Sequence, residues 1–495
     1  MEDAYLSIAG GEIASIAPSR PDSPVVDTDQ SVILPGLIDL HGHPEYNIFP
    51  AWEPPRLYPN RYVWRRDEPA YQVLVAGPMA YLEKVVRLRP LCARYAEMRA
   101  LVGGVTAIQG ASASYPDPSE ALVRNVDLPI FGKHRARAFV DLPDATRAAE
   151  VRAAVDRREV DRIYVHLAEG VDASSTAELG RLDELGLLGP WTVIIHGTGL
   201  TEGQLEVPKE VGARLVWSPQ SNLRLYGATT KVAEALRLGI EVGLGADWLP
   251  SGSRSLLDEL RVARRVLEQQ GLRLEPRRLV EMVTSTAARI AGLDDRLGTL
   301  RVGAPADVTV LERRALDADE SVLASDASAV NLVAIGGDIA YARTPWWDAL
   351  FPERAPEEVI AWGKVMQLDT RFERTHHPRG RCPWVPCARN SSLRSSAPDR
   401  YWPEDDSPKQ RHSEPDDRFS RTSDDRSPVR AIDTPEPVSG RDWLPGQSTR
   451  MSSRTSYRTT RTGSSCGTPV VVCLLGRASL PSNGLLRSTT SPCRR

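Results

Sequence analysis

Four aliphatic runs in this 495-residue chain each end on a residue of metal-binding type. Val32-Ile33-Leu34 to Leu40 leads into His41-Gly42-His43, Ile163-Tyr164-Val165 into His166, Val193-Ile194-Ile195 into His196, and Ile240 to Leu244 into Asp247. Only one other histidine, His134, precedes residue 376. A repeated apolar run closing on a ligand residue predicts parallel strands that present ligands at their carboxyl ends, where a (β/α)8 barrel builds its active site.

The text between and around these runs fits that α/β barrel. Strand-type runs at Val105 to Ile108, Val123 to Val126, Ala138 to Val140, 162–166, 191–196, 214–217 and 240–246 alternate with helical stretches. With the run before His41 they number eight, as a closed barrel requires. One helical stretch, Pro276 to Ala291, has Pro in its first turn and Gly292 past its end, the expected asymmetry. At the start, Ala4 to Ile8, Gly10-Gly11 and Ile13 to Ile16 read as a β-hairpin. Matching strand text at 298–311 and 332–337 predicts a small β-sandwich domain assembled from residues 1–33 and 298–345. The barrel then occupies 34–297, with 346–375 as an extension of the catalytic region.

Beyond about Thr375 the chain is rich in Ser, Arg and Pro without a sustained hydrophobic period, so 376–495 is expected to be disordered. Five of the six cysteines lie in that tail; Cys92 alone precedes it, which argues against a disulfide framework and for a reducing, cytoplasmic compartment. Cys382 and Cys387 flank Pro-Trp-Val-Pro, weak spacing for a zinc site. A net charge of -3 gives no reason to expect nucleic acid or membrane as a partner. The longest late apolar run, Val470 to Leu475, is far shorter than the ~20 residues of a membrane span. No basic segment followed by an apolar stretch opens the chain, so no secretory signal is expected.

The period of a strand is two, so His41 and His43 face the same side and can hold one divalent metal. His166 and Asp247 complete a four-residue set that leaves a position for water. Glu169, three residues past His166, can reach that position without binding the metal, as a proton shuttle should. His196 reads as a group that orients the water and polarises the substrate, with a fifth ligand as the alternative, and Asp247 can accept a proton from the bound water while coordinating. The insertion from Pro44 to about Pro90 carries many aromatic and arginine residues, of which Trp64 and Arg61 are candidate substrate contacts. Gln220, Asn222 and Trp248 are further candidates. The alternative for the insertion is that it packs a lid or a subunit interface.

Combined, these motifs resemble the amidohydrolase superfamily, in its cytosine-deaminase-like and chlorohydrolase-like branch. The matching text is Leu34-Pro35-Gly36-Leu37-Ile38-Asp39-Leu40-His41-Gly42-His43, His166-Leu167-Ala168-Glu169, His196-Gly197, Ser218 to Asn222, Gly243 to Asp247 and Gly298 to Asp307. The resemblance implies one zinc or iron on His41, His43, His166 and Asp247, with Glu169 as shuttle and His196 against the hydrolytic water. Two-metal relatives bridge their ions with a carboxylated lysine on the fourth strand; Arg137-Ala138-Phe139-Val140 has none. The implied activity is hydrolytic deamination of an amino-substituted heterocycle by a small-molecule enzyme, often a homodimer in this family. The alternatives are a cyclic-amide hydrolase or chlorohydrolase-like enzyme, and an inactive metal-binding remnant.

Overall fold

The computed structural model describes residues 3–19, 21, 25–110, 121–131, 136–351, 356–370 and 472–478. Two compact units divide the chain, Met1–Ser392 with Pro469–Arg495 and Leu393–Thr468, and every described residue lies in the first. His134, Cys382 and Cys387 fall outside the described residues.

The amino-terminal hairpin is β1 (Asp3–Ala9) and β2 (Glu12–Ala17), followed by β3 (Val25–Pro35). Eight short strands then succeed one another: β4 (Leu37–Asp39), β5 (Val105–Ile108), β6 (Arg124–Asn125), β7 (Ala136–Phe139), β8 (Arg162–Leu167), β9 (Thr192–His196), β10 (Arg214–Trp217) and β11 (Val242–Leu244). All their pairings are parallel, in the orders β4-β5-β6 and β7-β8-β9-β10-β11. The two ends meet where Leu40 N–H donates to Leu244 O at 3.2 Å and Gly42 bridges Asp247. Runs such as Ile163-Tyr164-Val165 and Val193-Ile194-Ile195 are buried throughout. That is what a strand covered on both faces requires of its sequence. These eight strands occupy the eight positions expected from hydrophobic runs, and the fold is the anticipated α/β barrel.

Helices cover the outside by the usual means. In Leu256–Gln269 the Ser255 side chain accepts from Asp258 N, satisfying a free donor of the first turn. Leu256, Leu260, Ala263 and Leu267 lie on its buried side at a spacing of three to four residues.

Strands from both ends of the catalytic region do join in one sheet. Its order is β15-β16-β14-β13-β12-β3-β17-β1-β2, with β12 (Val308–Leu311), β13 (Val330–Ile335), β14 (Asp338–Arg343), β15 (Glu357–Ala361), β16 (Lys364–Leu368) and β17 (Val472–Ala478). Two features depart from expectation. The sheet continues past residue 345 through β15 and β16, and the tail expected to be disordered contributes β17. Average tail composition concealed one apolar run, Val470 to Leu475, and the strand Val472–Ala478 begins within it. Inserted there, β17 runs parallel to β3 and antiparallel to β1.

The sheet is tied to the barrel by a buried pair. Arg124 of β6 donates through Nε and Nη2 to the two oxygens of Asp307, at 2.7 and 2.8 Å. Gly336 N–H donates to the same carboxylate at 2.8 Å.

Candidate active site

The four ligand candidates meet at one end of the barrel. His41 Nε2 lies 3.2 Å and His43 Nε2 3.7 Å from Asp247 Oδ1, while His43 Nε2 and His166 Nε2 are 3.3 Å apart. Two ligands on one tetrahedral zinc, each at ~2.0–2.1 Å, stand roughly 3.3–3.5 Å from one another. His41, Asp247 and His166 are buried, and His43 keeps 29% of its side chain open to solvent. Neither ring nitrogen of His41 has a hydrogen-bond partner, and His43 Nε2 faces His166 Nε2 at 3.3 Å. A divalent cation would satisfy this nitrogen-rich, partly unpartnered set.

The ring nitrogens are assigned by their other bonds. His166 Nδ1 donates to Phe139 O at 3.1 Å, which turns the Nε2 lone pair toward His43. His196 Nδ1 donates to Asn222 Oδ1 at 2.8 Å, and Asn222 Nδ2 in turn donates to Thr229 Oγ1 at 3.1 Å. That leaves His196 Nε2 as an acceptor facing Glu169 Oε2 at 3.6 Å. Burial pulls His43 down to about 4 and His196 to about 3, with the His41 charge adding to both, and pulls His166 well below its ordinary value. Neutral rings are the form that ligates metals. Burial would raise Asp247, but His41 and the other imidazoles around it hold its carboxyl below the usual range.

Three of the strand ends carry a left-handed residue other than glycine: Ala168 at φ 51°, His196 at 68° and Asp247 at 60°. Histidine and aspartate tolerate this region better than most residues. Strained dihedrals of this kind persist where surrounding contacts over-determine them. Here Asp247 N–H donates to His41 O at 2.9 Å and Gly199 N–H to Ala168 O at 2.8 Å.

Glu169 is buried and stands beside the set, its ligand atom grouped with those of His166 and His196. Burial pushes its carboxyl up to about 7, against the opposing pull of Arg61 and of a hydrogen bond from Tyr226. A carboxyl poised near neutrality can both take and deliver a proton.

The insertion 44–90 lies across these loops. Arg61 N–H donates to Glu169 O at 3.1 Å, Val171 N–H to Pro59 O at 2.7 Å, and Trp52 N–H to Pro250 O at 2.7 Å. Trp64 and Trp248 stack at 5.6 Å, and Trp248 stands 6.3 Å from the His43 ring. Both were expected to contact substrate; Trp248 is brought beside His43, and Trp64 stands behind it, bonded to Tyr226. Arg61 was expected there too, but its guanidinium is buried and committed: Nη1 and Nη2 donate to Glu178 at 2.9 Å each, and Nε to Asp141 at 3.3 Å. It anchors the insertion, since Glu178 also accepts from Ala168 N at 2.7 Å. Asn222 is likewise engaged by His196 rather than left open for substrate. Gln220 is held through its backbone, N–H to Glu259 Oε1 at 3.0 Å.

The sequence reading missed Tyr226, Glu178 and Asp39. Tyr226 was within reach, because it follows Asn222 by four residues in the helix Pro219–Tyr226 and so shares its face. Asp39 accepts from His41 N at 3.3 Å and Ala246 N at 3.0 Å, fastening the two ligand-bearing strand ends together. Burial raises its carboxyl to about 7.

Known proteins share this plan. The model of the amidohydrolase family matches residues 147–360. A 5-methylthioadenosine/S-adenosylhomocysteine deaminase of Syntrophus aciditrophicus is 26% identical over 356 residues, spanning 63% of this chain and 80% of that protein. Another of the same description, from Desulfitobacterium hafniense, is 27% identical over 326 residues, spanning 59% and 75%. Among solved structures, Escherichia coli guanine deaminase superposes with a TM-score of 0.55 at 18% identity, covering 68% of this chain and 93% of that one. A zinc-bound adenosine deaminase from Xanthomonas campestris gives 0.53 at 19% identity, covering 68% and 88%. At such identities the structural likeness speaks for the fold. The chain is therefore similar to the amidohydrolase family over residues 147–360 and to these deaminases along most of their length, with a His/Asp group at the strand ends.

Proposed function

We propose that this enzyme is a hydrolytic deaminase of an amino-substituted N-heterocycle, an adenine-type ring being the first class to test. The observation that carries the reading is Glu169: a buried carboxyl poised near neutrality, set against the metal-type cluster but outside its four proposed ligands. His41, His43, His166 and Asp247 would hold one zinc. When bound, the metal supplies a water acidified from ~15.7 toward ~7. Glu169 takes a proton from the water and delivers it to a ring nitrogen, so the adjacent carbon becomes more electrophilic. His196, its Nδ1–H fixed on Asn222, keeps a lone pair directed at the reacting water. Asp247 and Glu169 relay the last proton to the leaving amine, and the carbon–nitrogen bond is exchanged for a carbonyl and ammonia. Adenosine and guanine deaminases among the fold relatives, and the methylthioadenosine deaminases among the sequence relatives, support an exocyclic amine as leaving group.

The test is ammonia release by the zinc-loaded full chain from 5′-methylthioadenosine, S-adenosylhomocysteine, adenosine and guanine, with Glu169→Gln as the blank. Release that falls about 100- to 10,000-fold in the variant is expected, the range that general acid–base catalysis contributes. Halide release from a chlorinated triazine, without ammonia from any amine, would overturn the reading.

The barrel at 34–297 would be the catalytic part and the composite sheet its support. No helix among the described residues is long and apolar enough to cross a membrane, and Cys92 is buried as a free thiol. Both suit a cytoplasmic enzyme. A second copy is the proposed protein partner: Val73, Leu74, Tyr81 and Val85 are all exposed within one helical stretch of the insertion.

A further inference from the structure

We propose that Tyr226 is a positioning residue for Glu169, held in turn by Trp64, so that the insertion sets the geometry of the proton shuttle. The proposal rests on the hydrolytic reading of Glu169 given above. The Tyr226 hydroxyl donates to Glu169 Oε1 at 2.6 Å, and Trp64 Nε1–H donates to the Tyr226 oxygen at 3.0 Å. All three side chains are buried.

The directions of these bonds are forced. An indole N–H can only donate, so the phenol oxygen accepts from Trp64, and its single proton is left for the carboxylate. Burial raises the Tyr226 hydroxyl well above its ordinary value, and the neighbouring Glu169 raises it further, so it stays a donor throughout the working pH range. One oxygen of Glu169 is thereby tied down. The other, Oε2, is left pointing at His196 Nε2, 3.6 Å away, on the side of the metal-type group. A glutamate side chain has three rotatable bonds, and a shuttle must present the same oxygen first to water and then to substrate. The charge-assisted bond from Tyr226 restricts that freedom without occupying the working oxygen.

The anchor comes from a different part of the chain. Trp64 lies in the helix Arg61–Asp67 of the insertion, whose first residue donates its backbone N–H to Glu169 O and its guanidinium to Glu178. Main chain and side chain of Glu169 are therefore both fixed by the same helix, directly and through Tyr226. Trp64 also stacks on Trp248 from the loop after Asp247, so the relay closes against the opposite wall of the site.

The experiment is the crystal structure and steady-state kinetics of the zinc-loaded full chain carrying Tyr226→Phe, with Trp64→Phe as a second, milder variant and 5′-methylthioadenosine as the probe. The expected crystal result is a Glu169 carboxylate turned from its place or split over two rotamers, with zinc content unchanged. The expected kinetic result is a kcat lowered on the order of 10–100-fold, as loss of one bond to a charged group implies, with KM within about threefold. Trp64→Phe should give the same pattern at smaller amplitude. Combining Tyr226→Phe with Glu169→Gln should cost no more than Glu169→Gln alone, because the tyrosine acts only through the carboxylate. A Glu169 unmoved in the Tyr226→Phe crystal overturns the proposal whatever the substrate. So does a KM effect with unchanged kcat, or a loss in the double variant that adds to that of Glu169→Gln. Should Glu169→Gln itself retain the full rate, the hydrolytic reading fails, while the crystal still decides the positioning role.

Discussion

At the scale of single residues, the site gathers ionisable groups that water would keep apart. Burial sets most of their states: His43 and His166 stay neutral, while His41, which burial alone would lower, is raised by Asp247, and Asp247 stays charged. Glu259 extends the same physics away from the reacting atoms: fully enclosed on the helix Leu256–Gln269, its carboxyl is pushed up to about 8 by burial, opposed by bonds from Ser253 and from Gln220 N–H. A raised carboxyl favours the fold while it is neutral. Its contribution is complete below the ordinary value of 4.5 and is lost as pH rises to about 8. Glu259→Gln should therefore match the parent near pH 5 and be more stable at pH 9, by a few kcal/mol at most. Urea denaturation at the two pH values reads this directly; equal loss in both proteins from pH 5 to pH 9 would count against it. The proposed ligand residues were legible in the sequence because each sits at the end of an apolar run, a pattern carried in one dimension. Tyr226, Asp39 and Glu259 act through partners far along the chain, which no local pattern records. Arg61 misled for the same reason: its partner Glu178 lies 117 residues away.

At the scale of elements, short strands and tight turns deliver the ligands. Gly245, between β11 and Asp247, shows how little room the arrangement leaves. A Cβ built there would come within 2.7 Å of His41 N and 2.9 Å of His41 Cα. The glycine is needed for this close approach of two backbones, not for an unusual dihedral. Gly245→Ala should push β11 from β4, costing about 1–3 kcal/mol as overpacking does. Zinc stoichiometry should fall with it, since His41 and Asp247 would separate. Metal analysis and thermal melting of the variant check both parts, and a normal melt with full zinc would refute the close-approach account. Strands such as β8, β9 and β10 were readable from their runs, because burial on both faces demands continuous apolar text; two-residue β6 is Arg124–Asn125 and was marked only by the flanking Val123 and Val126. The left-handed turns at Ala168, His196 and Asp247 were not: nothing in an alanine or a histidine announces a positive φ.

At the scale of the molecule, a barrel and a composite sheet share one buried ion pair. Asp307 satisfies two guanidinium nitrogens of Arg124 and the N–H of Gly336. Removing one partner of such a pair leaves the other charge enclosed, which costs roughly 3–5 kcal/mol. Asp307→Ala should lose that much in urea unfolding while leaving zinc content unchanged; a loss below 1 kcal/mol would mean that the two parts are held by other contacts. The joining of both chain ends into one sheet could be foreseen from strand text near each end. The entry of β17 between β3 and β1 could not, because a composition argument averages over a hundred residues and a strand needs only seven. The central claim, hydrolysis of the exocyclic C–N bond of an amino-heterocycle, is tested most directly by turnover of 5′-methylthioadenosine in ¹⁸O-labelled water, read by mass spectrometry. One labelled oxygen in the deaminated product, with one ammonia released for each, is the predicted result; turnover whose product carries no label, or no ammonia, would contradict it.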